Sequence, residues 1–150
     1  MPQSLSNILL HLIFSTKDRQ PWLVNDLRCK AHALLAGTVR QRDCEAYRVG
    51  GTEDHVHMAI LLARTIAVAD LVQDIKISSS RWLKRQDPSL KVFAWQNGYG
   101  IFSIGVSQKE VLQHYIDGQM EHHRTHTFQD EYRAFLRKHG IKYDEKYVWD

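Results

Sequence analysis

The stretch Thr52-Glu53-Asp54-His55-Val56-His57-Met58-Ala59-Ile60-Leu61-Leu62 decides the fold. It is mostly apolar, rich in branched side chains and preceded by Gly50-Gly51, which predicts a strand. Alternate side chains of a strand share a face, so His55 and His57 point one way. Val56, Met58, Ile60 and Leu62 point the other way, toward a core. Two imidazoles two residues apart on a rigid strand can grip one metal ion from one side. They can also be ordinary polar residues on a solvated sheet face, because the chain holds nine histidines.

On the N-terminal side of this strand, Asn7 to Ser15 is an apolar run of strand length, closed by Thr16-Lys17-Asp18-Arg19 and Pro21. Leu27, Ala31, Leu34, Leu35 and Val39 recur at helical spacing and predict a helix from Val24 to about Arg42. Glu45 to Val49 is a short strand, turned by Gly50-Gly51 into an antiparallel partner of the histidine strand. On the C-terminal side, Leu71, Val72, Ile75, Trp82 and Leu83 predict a helix over about 67–85, which Asp87-Pro88 ends. The aromatic, glycine-punctuated segment 93–104 holds a strand at its far end. A third helix is expected over about 108–123, and the tail, about 127–150, carries a short amphipathic helix (Tyr132, Phe135, Leu136) and an extended end.

That order is strand, helix, strand, strand, helix, strand, then further helices. It predicts an α+β, ferredoxin-like βαββαβ antiparallel sheet with two helices on one face and an additional C-terminal tyrosine-bearing helix. The first two helices would cover the Val56/Met58/Ile60 side, leaving the histidine side to a third helix or a ligand. At 150 residues the natural reading is a single domain over 1–150, large enough to bury a core without staples. Net charge is +3, which permits a polyanionic partner without demanding one. Cys29 and Cys44 have no metal-motif spacing and read as reduced packing residues. No apolar run approaches a membrane span and no secretion signal opens the chain, so a cytoplasmic location is expected.

In the third helix Tyr115 and Gln119 are four residues apart and share a face, with Leu112, Ile116 and Met120 as the adjacent stripe for packing on the sheet. A tyrosine is a weak nucleophile at neutral pH, since its reference pKa is about 10. A divalent ion beside a phosphodiester lowers that barrier by polarising the phosphoryl oxygen. His55, His57 and the carbonyl of Gln119 would supply three ligands, and Tyr115 would stand beside the metal it depends on. Imidazoles tolerate several transition ions while phosphate oxygens favour Mg²⁺ or Mn²⁺, so Mg²⁺ or Mn²⁺ is the expected cofactor. No dedicated base is evident. His122, His123 and His126 read as solvated or DNA-facing residues, one of which could reach the metal.

These residues carry a resemblance. The chain resembles the HUH-type single-tyrosine, IS200-like transposases of small bacterial insertion sequences in His55-Val56-His57 and in Tyr115-Ile116-Asp117-Gly118-Gln119. The likeness extends to the opening His11–Arg19, to the segment Trp95–Ser103 and to the tail around Phe128–Tyr132. It implies cleavage and rejoining of single-stranded DNA at element ends through a covalent 5′-phosphotyrosine. It also implies recognition of hairpins formed near those ends, a homodimer, and no nucleotide cofactor. Lys17, Arg19, Lys76, Arg81, Lys84 and Arg85 are candidate phosphate contacts, or simply solvated surface. Trp95 and Tyr99 could stack on unpaired bases or pack in the core. Two other functions fit the fold: a hairpin-binding module that does not cut, and a hydrolase using the histidine pair on a small substrate.

Overall fold

The computed structural model describes residues 2–150. Strand β1 (Ile8–Ser15) leads through a short turn to helix α1 (Asn25–Gln41), then strands β2 (Glu45–Gly51) and β3 (His55–Leu62). Helix α2 (Val68–Lys84) returns the chain to strand β4 (Gly100–Ser103). Three helices follow: α3 (Lys109–Asp117), α4 (Gln119–His122) and α5 (Phe128–Lys138). The sheet order is β2-β3-β1-β4 and every pairing is antiparallel, which is the ferredoxin-like arrangement the sequence predicts. No described helix is long and apolar enough to cross a membrane.

One sheet face carries the main core. Leu12 and Phe14 of β1 and Val56, Met58 and Ile60 of β3 pack against Ala31, Leu35 and Val39 of α1 and Leu71, Ile75 and Leu83 of α2. The period of two along β3 thus sorts its aliphatic residues to the α1/α2 side and its histidines to the other. Trp95 joins this core, buried at 6% exposure with its indole N–H donating to Ser79 Oγ at 2.8 Å. It is therefore a packing residue and not a platform for bases.

The histidine face is covered as well. Leu112 and Ile116 of α3 close over Ala59, and Phe128, Tyr132 and Leu136 of α5 close over Ile13 and Phe102. One row across all four strands explains how both helices come so near. Gly50 pairs with His57, His57 with Ile13, and Ile13 with Gly100. A Cβ on Gly50 would lie 2.6 Å from Ile116 Cγ2, and one on Gly100 would lie 2.7 Å from the Tyr132 ring. Each edge strand therefore offers bare backbone where a roofing helix rests.

Three local expectations are corrected. Gly50 and Gly51 are not the turn but the last paired residues of β2, and Thr52-Glu53-Asp54 makes the connection. The expected single helix over 108–123 is interrupted at Gly118 (φ −89°, ψ 12°), and Met120 lies 49% exposed instead of packing on the sheet. The end of the chain is not extended. It folds back, so that the Asp150 carbonyl accepts from Gly98 N–H at 2.8 Å.

Candidate active site and metal centre

Strand β3 fixes His55 and His57 side by side on the roofed face, both with 0% exposure. Their outer ring nitrogens are already engaged. His55 Nδ1 donates to Asp54 Oδ1 at 2.7 Å, and Thr52 Oγ lies 2.9 Å away. His57 Nδ1 meets His11 Nε2 at 2.8 Å. Such partners fix ring orientation and direct both Nε2 atoms inward.

Helices α3 to α5 bring the facing groups. Gln119 Oε1 lies 2.9 Å from His55 Nε2 and 3.0 Å from His123 Nε2. Gln119 Nε2 donates to Glu131 Oε2 at 3.1 Å, which sets the orientation of the amide. Glu131 Oε1 lies 2.9 Å from His57 Nε2, 3.3 Å from His123 Nε2 and 3.7 Å from His55 Nε2. The Tyr115 hydroxyl donates to Glu131 Oε2. The four sequence-predicted residues His55, His57, Tyr115 and Gln119 are thus gathered in one chain around one carboxylate.

The electrostatics follow from burying these groups together. Burial lowers His57 to a pKa of about 4 despite the attraction of Glu131. Burial also holds His11 well below its ordinary value, with His57 adding to the effect. Desolvation would raise Glu131, but its hydrogen bonds from His123 and His57 and the charge near it outweigh that and hold it well below the carboxylate range. Tyr115 is pushed far above the ordinary tyrosine value, by burial first and then by the Glu131 charge. Its phenol is firmly protonated, and its hydrogen bond gives that proton a direction.

The donor set fits a cation. Ligand atoms of His55, His57, His123 and Glu131 all lie within 4.8 Å of one another. His55 gives its Nδ1 proton to a carboxylate, and His123 gives its own to the His126 carbonyl at 2.7 Å. Both rings then turn Nε2 toward oxygens that can only accept. A cluster of this kind is relieved by added protons or by one metal ion.

The predicted basic residues are scattered. Lys76 Nζ donates to the carbonyls of Gln96 (2.7 Å), Asn97 (3.2 Å) and Gly98 (2.6 Å), so it clamps a loop and is not free for phosphate. Arg81 and Lys84 on α2, and Arg85 just past its end, are exposed across the sheet from Tyr115. Lys17 is exposed, and the Arg19 guanidinium lies 5.8 Å from the centre of the Trp149 ring. Glu131 and His11 were missed as site residues, whereas His123 is the one of the three later histidines, His122, His123 and His126, that joins the His55/His57 cluster. Glu131 had a signal: it sits on the Phe128/Tyr132/Phe135 stripe of α5, where an acid must be paired to be buried. His11 likewise interrupts an apolar strand.

Over residues 4–119 the chain matches the family model described as Transposase IS200 like, and it belongs to that family. Among its relatives is the ISDra2 transposase TnpA of Deinococcus radiodurans, 26% identical over 114 residues that span 73% of this chain and 81% of that one. A crystal structure from Deinococcus radiodurans R1, assigned as a transposase, superposes with a TM-score of 0.60 at 22% identity, covering 79% of this chain and 98% of that one. The REP-associated tyrosine transposase bound to a REP hairpin superposes with a TM-score of 0.61 at 14% identity, covering 82% of this chain and 72% of that one. The family match ends at Gln119, so His122, His123 and Glu131 lie beyond it.

Proposed function

We propose that this chain cleaves and rejoins single-stranded DNA, with Tyr115 as nucleophile and a divalent ion held by His55, His57 and the Gln119 carbonyl. The observation that carries the reading is the contact of the Tyr115 hydroxyl with Glu131, whose other oxygen touches His57. The phenol lies against the histidine pair, and a proton acceptor is already in contact with it. In the cleavage step the Tyr115 oxygen bonds to phosphorus and its proton passes to Glu131. The bond from phosphorus to the 3′-oxygen breaks, and that oxygen takes a proton from solvent to leave as a hydroxyl while Glu131 returns its proton to solvent. Attack by an incoming 3′-hydroxyl reverses these events and restores the phenol, so no nucleotide is consumed. When bound, the ion would polarise the phosphoryl oxygen and offset the charge that makes Tyr115 hard to ionise.

Tyr115, His55, His57 and Gln119 meet within one chain, so the nucleophile need not come from a partner subunit. A homodimer would then extend the DNA-binding surface. The partner proposed is single-stranded DNA with hairpin-forming ends, in line with the hairpin bound by the REP-associated relative.

The test is covalent trapping on single-stranded oligonucleotides from the flanks of the gene, with Mn²⁺, Mg²⁺ or EDTA. A metal-dependent protein–DNA adduct is expected for the wild type and none for Tyr115→Phe, with hairpin binding kept. Hairpin binding without an adduct in any metal would reduce the protein to a binding module. Phosphodiester hydrolysis indifferent to Tyr115→Phe would indicate a metal-activated water.

A further inference from the structure

The tail beyond the family match holds two groups aimed at the same point as the histidine strand. His123 Nε2 approaches Glu131 Oε1 at 3.3 Å and Gln119 Oε1 at 3.0 Å, while its Nδ1 is held by the His126 carbonyl. Glu131, only 5% exposed, meets all three imidazoles through a single oxygen. An ion with bonds of about 2.0–2.1 Å has tetrahedral neighbours roughly 3.3 Å apart. The three nitrogen–oxygen separations here, 2.9, 3.3 and 3.7 Å, bracket that edge.

We propose that His123 and Glu131 are metal ligands, completing with His55 and His57 a cage of three imidazoles and one carboxylate that selects a first-row transition ion over Mg²⁺. Three nitrogen donors suit Zn²⁺, Co²⁺ or Mn²⁺, whereas Mg²⁺ demands oxygen and retains its waters. Gln119 then adds a further oxygen at the same centre and orients Glu131 through its amide. The α5 helix thereby becomes part of the metal site, where the family pattern alone would supply only β3 and the tyrosine helix. The inference rests on the metal reading proposed above.

The experiment uses the full chain, stripped with EDTA and titrated with Co²⁺, Zn²⁺ and Mg²⁺. Affinities are read calorimetrically and the Co²⁺ visible spectrum reports the ligand set. The wild type is expected to bind one Co²⁺ or Zn²⁺ per chain, with Mg²⁺ unable to displace either at a hundredfold excess. Glu131→Gln, nearly isosteric, and His123→Ala should each weaken Co²⁺ by about 10²-fold or more, beyond the usual loss of a merely orienting partner, and change the visible bands. Arg124→Ala, exposed on the same segment, should leave both unchanged, and far-ultraviolet circular dichroism checks that each variant is folded. If His55→Ala abolishes binding while Glu131→Gln and His123→Ala keep wild-type affinity and spectrum, the tail supplies no ligand and this inference falls alone. If the wild type binds none of the three ions, the metal reading itself falls. Mg²⁺ competing on equal terms would overturn the ion class.

Discussion

Replacing Gly50 by alanine should injure the chemistry without touching a single reacting group. The new Cβ would lie 2.6 Å from Ile116 Cγ2 and 2.7 Å from the Ile116 carbonyl oxygen. One of those atoms is backbone, so no rotamer change relieves it. Helix α3 must retreat by about 0.8 Å to regain ordinary contact in a close-packed interior. Overpacking of this kind costs roughly 1–3 kcal/mol. For a chain of this size that lowers the melting temperature by about 2–12 °C. Tyr115 precedes Ile116 and moves with it, and a misplacement near 1 Å costs about 10²-fold in rate. The assay is the rate of covalent adduct formation at saturating oligonucleotide, beside thermal melting. Gly37→Ala is the control: nothing lies within 4 Å of its added Cβ, so it should gain up to about 1 kcal/mol and keep wild-type rate. A Gly50→Ala protein with the wild-type adduct rate would refute the claim that this contact seats Tyr115.

Other expectations follow from the same contacts. Burial, aided by Arg28, lowers His32 from 6.5 to a pKa of about 4, and its buried Nε2 has no hydrogen-bond partner. The unfolded chain therefore binds its proton more readily, and this part of the stability is intact above pH 6.5 and lost as pH falls toward 4. Urea melts across that window should show the decline, and His32→Leu should flatten it; an unchanged slope would mean the other buried histidines supply all of it. Lys84, with Arg81, lines a groove beside the 93–97 segment. If that groove holds DNA, Lys84→Ala should reduce the salt dependence of hairpin binding by about one unit of slope. Wild-type affinity and slope would mark it as solvated surface. Ser79→Ala removes the acceptor of the buried Trp95 indole and should cost about 1–3 kcal/mol in a denaturant melt, with adduct chemistry intact.

The parts of the fold legible in the sequence were those written as periodicity. Alternation along 55–62 sorted the histidines from the aliphatic residues, and helical spacing located α1 and α2 within a residue or two. Tyr115 and Gln119 were readable because four residues make one helical turn. Glu131 was not, since nothing local says that α5 docks on the histidine face and not elsewhere. The bend at Gly118 was also hidden: a lone glycine in an apolar pattern fits a straight helix as well as a broken one. Lys76 shows the converse error, where a cation read as a phosphate contact is held by three carbonyls supplied twenty or more residues away. Charge is visible in sequence, but its partner is not.

The placement of Glu131 also gives the chain a timetable. His57 waits for a carboxylate 74 residues further along, and His55 for an amide 64 residues further on. Contacts of such long sequence separation close late, after the local helices and hairpin have formed. On the ribosome the sheet and its main core can assemble while α5 is still unmade. Until that helix docks, the phenol lacks its acceptor and the histidines remain uncovered. A nascent chain that stops short of α5 therefore carries the histidine pair without the carboxylate that faces it, and the candidate site is assembled only when that helix docks.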